Sequence, residues 1–521
     1  MLAIAHSAVL VGMSSAPVRV EVQAERGIPT FELVGLAEAA VRESRVRVKS
    51  ALAGVGVDIS EYRVTVNLAP ADLKKSGSSF DLAIAIGTLL ALERIPAGCL
   101  DGALLLGELS LNGALQSLRG VVAHLLGAKS RGVFRVVIPS VNDMEASLVD
   151  DLRIEVASSL AEIVESILRT EPLRGPSRRP RETVLTVVDD LAEVRGQTVA
   201  RRALEVAACG AHNLLLMGPP GAGKTMLARR LPGILPQLSR DEALEVIAIH
   251  GVAGLCGAVT RGIERPFRAP HHTVSEFALV GGGETVRPGE VSLAHHGVLF
   301  LDELSELRRT ALEALRQPLE DGFVTISRMK LTATFPARPM LVAATNPCPC
   351  GNSGDGRGSC RCTKEAIAAY RRRLSGPLLD RIDLHISLPR VDIAALHSRE
   401  PGEPSSVVRQ RVEAVRAIQV DRQARGEVTA RVNAHLAQKD MDRICALDTQ
   451  GRAILVQAIE RRGLSARGYV KVLRVARTLA DMDGSTAIAA GHVGEAVLAR
   501  ALDREDPPWS PPWSPPVAHA S

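Results

Sequence analysis

Aromatic residues make up only 2% of this 521-residue chain, and its two tryptophans fall within the last thirteen residues. Its cores must therefore be aliphatic, and stacking platforms for single-stranded bases are scarce. An excess of either charge is also missing: 63 Lys and Arg against 58 Asp and Glu give +5, too little to argue nucleic-acid binding from net charge. Any contact with DNA has to be local. No apolar run approaches the length that spans a bilayer. The apolar start, Met1 to Val11, lacks a basic region, and the alternation in Val18-Arg-Val-Glu-Val22 after it reads as strands of a folded domain, so a cytoplasmic protein is expected. Eight cysteines, four of them crowded into one loop, suit a reducing compartment and a metal site better than a disulfide framework.

What is present is the composition of a soluble globular protein, 46% hydrophobic and 23% charged, with length for about three domains. Residues 1–168 mix short strands and helices. A Pro, Gly and Arg-rich stretch at 169–183 reads as a linker. An α/β segment at 184–392 and a helical segment at 393–503 follow, with helices expected over Ser405 to Arg425 and Tyr469 to Asp481. The Pro/Trp repeat in 504–521 reads as polyproline-like or disordered.

The most informative run is Gly218-Pro-Pro-Gly-Ala-Gly-Lys224-Thr225, preceded by the apolar strand Leu214 to Met217. Glycines at 218, 221 and 223 let backbone N–H groups converge on phosphate oxygens at the start of a helix near Lys224. Lys224 would then reach the β- and γ-phosphates of ATP, and Thr225 would ligate magnesium. Downstream, Gly297-Val-Leu-Phe-Leu-Asp302-Glu303 is an apolar strand ending in two carboxylates. Asp302 would hold the magnesium through water and Glu303 would orient or deprotonate the attacking water, which marks a hydrolase.

These motifs, with Asp190 to Gln197, Gly289 to Glu303, Asn346-Pro-Cys-Pro-Cys-Gly351 and Ser375 to Asp383, resemble the YifB/ComM group of magnesium-chelatase-like AAA+ ATPases. The likeness extends to the N-terminus through Val34-Gly-Leu36, Glu43-Ser-Arg45 and Val66 to Lys75. It implies an α/β multidomain protein: an N-terminal Lon-protease-like (ribosomal S5 domain 2-like) α+β domain, an AAA+ P-loop core and a C-terminal helical lid. It also implies a homo-hexameric motor acting on single-stranded or branched DNA, as a branch-migration helicase in recombination of incoming DNA. By the same resemblance Asn346 is sensor 1, Arg381 is an arginine finger reaching the neighbouring subunit's nucleotide, and Arg467 is sensor 2. Phe323 to Phe335 reads as two β-rich runs around a basic tip and resembles a pore hairpin, making Arg328 and Lys330 candidates for tracking a phosphate backbone. Arg371-Arg-Arg373 is a second basic cluster.

Cys348, Cys350, Cys360 and Cys362 flank a Gly-rich loop and could converge on zinc, although one-residue spacers are less usual than two. Reduced structural thiols and redox chemistry are the alternatives. The N-terminal segment offers a rival enzyme class, because Ser79 falls at the serine position of a Lon-type Ser–Lys dyad. The lysine position falls on Val122, and Lys129 lies about two turns further along the helix, so the domain is expected to be non-catalytic. A chelatase-like motor subunit and an ATP-dependent protein remodeller remain the other readings of the ATPase.

Overall fold

The computed structural model describes residues 1–521 except 36–38, 76, 78, 178–188, 256–263, 284–285, 329–330, 354–358, 375, 391–401, 463, 501 and 503–521. Lys330, Ser375, the Pro/Trp tail, residues 178–183 of the expected linker and most of the Gly-rich loop between the cysteine pairs lie outside the described residues.

Alternation of small and β-branched residues builds the N-terminal sheet. Val18, Val20, Val22 and Ala24 of the strand Ser14–Arg26 all point into the core, and the residues between them face outward. Seven strands pair in the order Thr30–Val34, Tyr62–Ala69, Ser14–Arg26, Leu2–Val11, Ala103–Leu105, Arg135–Pro139 and Arg153–Ala157. The helix Asp81–Ala91 packs so closely on this sheet that a Cβ on Gly87 would stand 2.7 Å from Val22. Residues just past the helix Leu160–Arg169 stay on this unit: Leu173 is buried, Val156 N donates to Arg174 O, and Arg174 pairs with Asp143.

The second sheet is parallel, in the order Phe267–Arg268, Val298–Leu301, Met340–Thr345, Leu214–Met217 and Leu384–Ser387. Its central strands are buried on both faces, which is why they read as unbroken apolar runs. Period two sorts their side chains: Leu214 and Leu216 enter one core and Leu215 the other. The first of these cores is shared with the C-terminal helices Ser405–Ala424, Ala466–Met482 and Ala490–Leu498, so the helical region is packed onto the sheet. No helix among the described residues is long and apolar enough to cross a membrane.

Candidate nucleotide-binding site

In a parallel sheet, ligands gather at the carboxyl ends of the strands. Here three of those ends converge. The strand Leu214–Met217 runs into the loop 218–223, whose Gly221 and Gly223 adopt φ of +78° and +83° before the helix Lys224–Ile234 begins. Gly218 is required for a different reason: a Cβ there would stand 2.7 Å from Leu388 O. The buried Lys224 ammonium donates to Gly218 O (2.7 Å), Pro219 O (3.0 Å) and Asn346 Oδ1 (3.1 Å). Burial pulls its pKa down, opposed by Asp302 and Glu303. Asn346 reaches the lysine because its strand, Met340–Thr345, lies between the strand feeding the loop and the strand ending at Asp302.

Thr225 Oγ1 donates to Asp302 Oδ2 at 2.8 Å, and Glu303 N donates to Asp302 Oδ1 at 2.9 Å. A hydroxyl and a carboxylate side by side are the hard oxygen donors that suit magnesium. Glu303 itself holds φ of +51°, a left-handed conformation for a residue with a Cβ, and such conformations cost about 1–3 kcal/mol. Its carboxylate lies 3.2 Å from His272 Nδ1, a partner that sequence reasoning missed. Two adjacent histidine pairs, His271-His272 and His295-His296, stand out among only 13 histidines and were the available signal. The second pair bonds through both Nε2 atoms to Glu245 and so anchors the approach to the strand Val298–Leu301.

The cysteines converge. Cys348 Sγ lies 3.4 Å from Cys350 Sγ and 3.8 Å from Cys360 Sγ, and all four sulfurs are within 4.8 Å of one another. Tetrahedral zinc with Zn–S near ~2.3 Å sets sulfurs about 3.8 Å apart, so the cluster fits that ion. Backbone N–H groups of Asn352 and Arg361 pull the Cys350 thiol down to about 6. The Cys350 N–H favours the Cys362 thiolate, yet the Cys350 and Cys348 sulfurs push that thiol up to about 12. Crowded thiols cannot all ionise without a cation. The cluster touches the nucleotide loop: a Cβ on Gly351 would stand 2.5 Å from Pro220 Cδ.

Arg381 and Arg467 are elsewhere. They line a cavity of about 990 Å³ shared with Asn213, Gly297, Met340 and Asp383, which precede or open the strands, and with none of Lys224, Thr225, Asp302 or Glu303. Both arginines therefore sit beside the amino ends of the strands, opposite the glycine-rich loop at their carboxyl ends. Behind them Asp383 is fully buried, accepting from Asn213 N at 2.8 Å beside Lys471 Nζ at 2.8 Å. Burial alone would raise this carboxyl, but Lys471 and His212 hold it at about 2.

The basic candidates differ in what they meet. Arg328 ends the strand Phe323–Arg328, whose register with Leu331–Pro336 pairs Arg328 with Leu331. Arg373 ion-pairs with Glu306 at 3.1 Å and lies over the Tyr370 ring. In the N-terminal unit Ser79 is buried, its hydroxyl donating to Ala8 O at 3.3 Å, and Lys75 is buried with its ammonium on Pro70 O. Val122 is the second residue of the helix Val121–Ser130 and is buried.

A five-stranded parallel sheet carrying a glycine-rich loop, a lysine and a strand-end pair of carboxylates defines an α/β protein of the P-loop class. Comparison with known proteins is more specific. Residues 190–396 match a family described as magnesium chelatase, subunit ChlI, residues 20–142 one described as subunit ChlI of Mg-chelatase, and residues 402–500 one described as magnesium chelatase, subunit ChlI C-terminal. The chain is 41% identical to the YifB protein of Escherichia coli (strain K12) over 96% of its own length and 98% of that protein's. It is 42% identical to competence protein ComM of Haemophilus influenzae, again over 96% and 98%. Against the magnesium-chelatase subunit ChlI of Nephroselmis olivacea, identity is 24% over 56% of this chain and 82% of that one. The chain belongs to the YifB/ComM family of magnesium-chelatase-like AAA+ proteins, a family that implies use of a nucleotide and magnesium.

Proposed function

We propose that the chain is the subunit of a homo-hexameric ring ATPase that hydrolyses ATP between neighbouring copies and uses the cycle to translocate on or branch-migrate DNA. The observation that carries this reading is the convergence of Lys224, Asn346, Thr225, Asp302 and Glu303 at the carboxyl ends of the central strands. Loop N–H groups around Gly218, Gly221 and Gly223 cradle phosphates, and Lys224 leaves its loop carbonyls for the β- and γ-phosphates. Thr225 and Asp302 would hold a magnesium ion, which when bound neutralises phosphate charge. Glu303 draws a proton from the attacking water and Asn346 orients that water.

Arg381, just before the strand Leu384–Ser387, and Arg467, on the helix Ala466–Met482, lie near the amino ends of the strands and act on the nucleotide of an adjoining copy. An arginine supplied in this way is worth ~10³ to 10⁵ in rate. The hairpin tip, Arg328 with Lys330, tracks the DNA backbone, and the N-terminal unit is a Lon-like, non-catalytic module for DNA or a partner. The four cysteines hold one structural zinc that braces the nucleotide loop through Gly351 and Pro220.

The test is the steady-state ATPase rate of the full chain without polymer and with single-stranded DNA, duplex DNA or a four-way junction, Glu303→Gln serving as blank. Stimulation by DNA, strongest with the junction, is expected. A rate indifferent to every DNA overturns the DNA reading in favour of a protein remodeller or chelatase-like motor.

A further inference from the structure

Glu320 lies near the end of the short helix Arg316–Asp321. One oxygen of its carboxylate, Oε2, pairs with Arg381 Nη2, and the other, Oε1, stands 3.8 Å from Arg467 Nη2. Arg381 is further fixed by Pro377 O at 2.6 Å and Arg316 O at 3.2 Å, leaving its side chain 11% exposed. Glu320 and Arg467 are more than half exposed. Close by, Ser465 Oγ, which caps the helix carrying Arg467, donates to Asp380 Oδ1 at 3.1 Å. A single carboxylate thus joins an arginine of the sheet unit to an arginine of the C-terminal helices, on the wall of the large cavity.

A guanidinium presents the same fork of N–H donors to a carboxylate and to a phosphate. Glu320 therefore engages the donors that a phosphate would need, on both arginines at once. We propose that Glu320 is an internal competitor for phosphate: it holds Arg381 and Arg467 together in the separate chain, and the triphosphate of an adjoining copy displaces it. Displacement is feasible because the half-exposed carboxylate returns to water, whereas Arg381 keeps its two carbonyl partners and stays aimed. Arrival of phosphate also breaks the Glu320 tie between sheet unit and helical unit, while buried Asp383, paired with Lys471, keeps the two packed together. The inference rests on the reading of both arginines as phosphate-binding groups of an ATPase and does not depend on DNA being the polymer.

The experiment is the ATP dependence of steady-state hydrolysis by the full chain carrying Glu320→Gln, Glu320→Asp or Arg381→Ala, without polymer. Glu320→Gln should lower half-saturating ATP about three- to tenfold, the scale of losing one competing carboxylate. Glu320→Asp, which withdraws the carboxylate by one methylene, should shift it the same way by less. A clasp with only a structural role would lower the thermal midpoint without tightening ATP use. Unchanged or raised half-saturation in both Glu320 variants, with Arg381→Ala impaired, overturns the competitor role alone. Undiminished hydrolysis by Arg381→Ala removes the reading of that arginine, and the competitor with it.

Discussion

Gly12 of the N-terminal sheet and Ala333 of the two-stranded hairpin face each other: a Cβ on Gly12 would stand 2.7 Å from Ala333 Cβ and 3.6 Å from Phe335 Cζ. Gly12, with φ of +61°, makes the turn between the strands Leu2–Val11 and Ser14–Arg26, and Ala333 and Phe335 are buried on the return strand of the hairpin. A second contact lies alongside, where a Cβ on Gly251 would stand 3.2 Å from Gly120 Cα. The helix Arg240–Ala253 thereby packs on Val121–Ser130, with Ile247 and Ala248 inside the N-terminal core. The N-terminal unit is the seat of the hairpin.

Replacing Ala333 by Leu leaves the Gly12 turn intact and drives a larger side chain into it. Overpacking of this kind costs about 1–3 kcal/mol. Urea unfolding should register that loss, and DNA-stimulated hydrolysis should fall more than the basal rate. A variant as stable as the parent would mean that the hairpin moves freely of its seat.

At the nucleotide loop, Lys224→Ala should weaken nucleotide binding by about a hundredfold or more, since it removes the buried cation held against the glycine-rich loop by Gly218 O and Pro219 O. Glu303→Gln should instead keep ATP bound while slowing hydrolysis ~10² to 10⁴-fold, the usual contribution of a general base. Equilibrium binding of a fluorescent ATP analogue separates the two effects. Normal turnover by Glu303→Gln would sink the base assignment.

Elemental analysis of the purified chain should find about one zinc per chain, the stoichiometry of a single tetrahedral four-cysteine centre. Cys360→Ser should lose it, and because the cluster leans on Pro220, the same variant should bind nucleotide less tightly. Metal-free protein with four titratable thiols would instead identify the cluster as reduced structural cysteines.

Acid should destabilise the chain well before its carboxylates titrate. Burial lowers His124 to about 3 and His212 to about 4. Between these values and the unfolded ~6.5, the unfolded chain binds more protons, so stability rises with pH across that window and is lost as pH falls. Each histidine is worth roughly 1–2 kcal/mol between pH 7 and pH 5. Thermal unfolding at the two pH values should show the drop, and His124→Gln should flatten it; an unaltered slope would remove His124 from the account.

Much of the nucleotide site was legible because its ligands are local. A phosphate loop is a contiguous run of backbone N–H groups, so its glycines and lysine must be adjacent in sequence. The flanking strands were visible for a related reason: burial on both faces makes them continuous apolar runs. The hairpin was readable from its two β-rich halves, and the helices after Ser405 and near Tyr469 from their periodicity. The partners of these groups were not legible. Nothing in the local pattern around Glu303 names His272, and nothing around Arg381 names Glu320. Arg373, in a run that reads as free positive charge, is given to Glu306 and the Tyr370 ring.

By itself, the sequence determined the chemical parts: a glycine-rich loop with its lysine, two strand-end carboxylates, a set of four thiols and aliphatic cores. Each follows from residue type and short-range spacing, which set backbone conformation and ligand identity before any packing occurs. Tertiary structure decided which parts meet. Strand order placed Asn346 beside Lys224, sheet polarity sent Arg381 to the opposite ends of the strands, packing of the helix Ala466–Met482 brought Arg467 to it, and close glycine contacts brought the Gly12 turn onto the hairpin. These relationships join residues far apart in the chain, and only the burial of apolar surface between whole elements selects them.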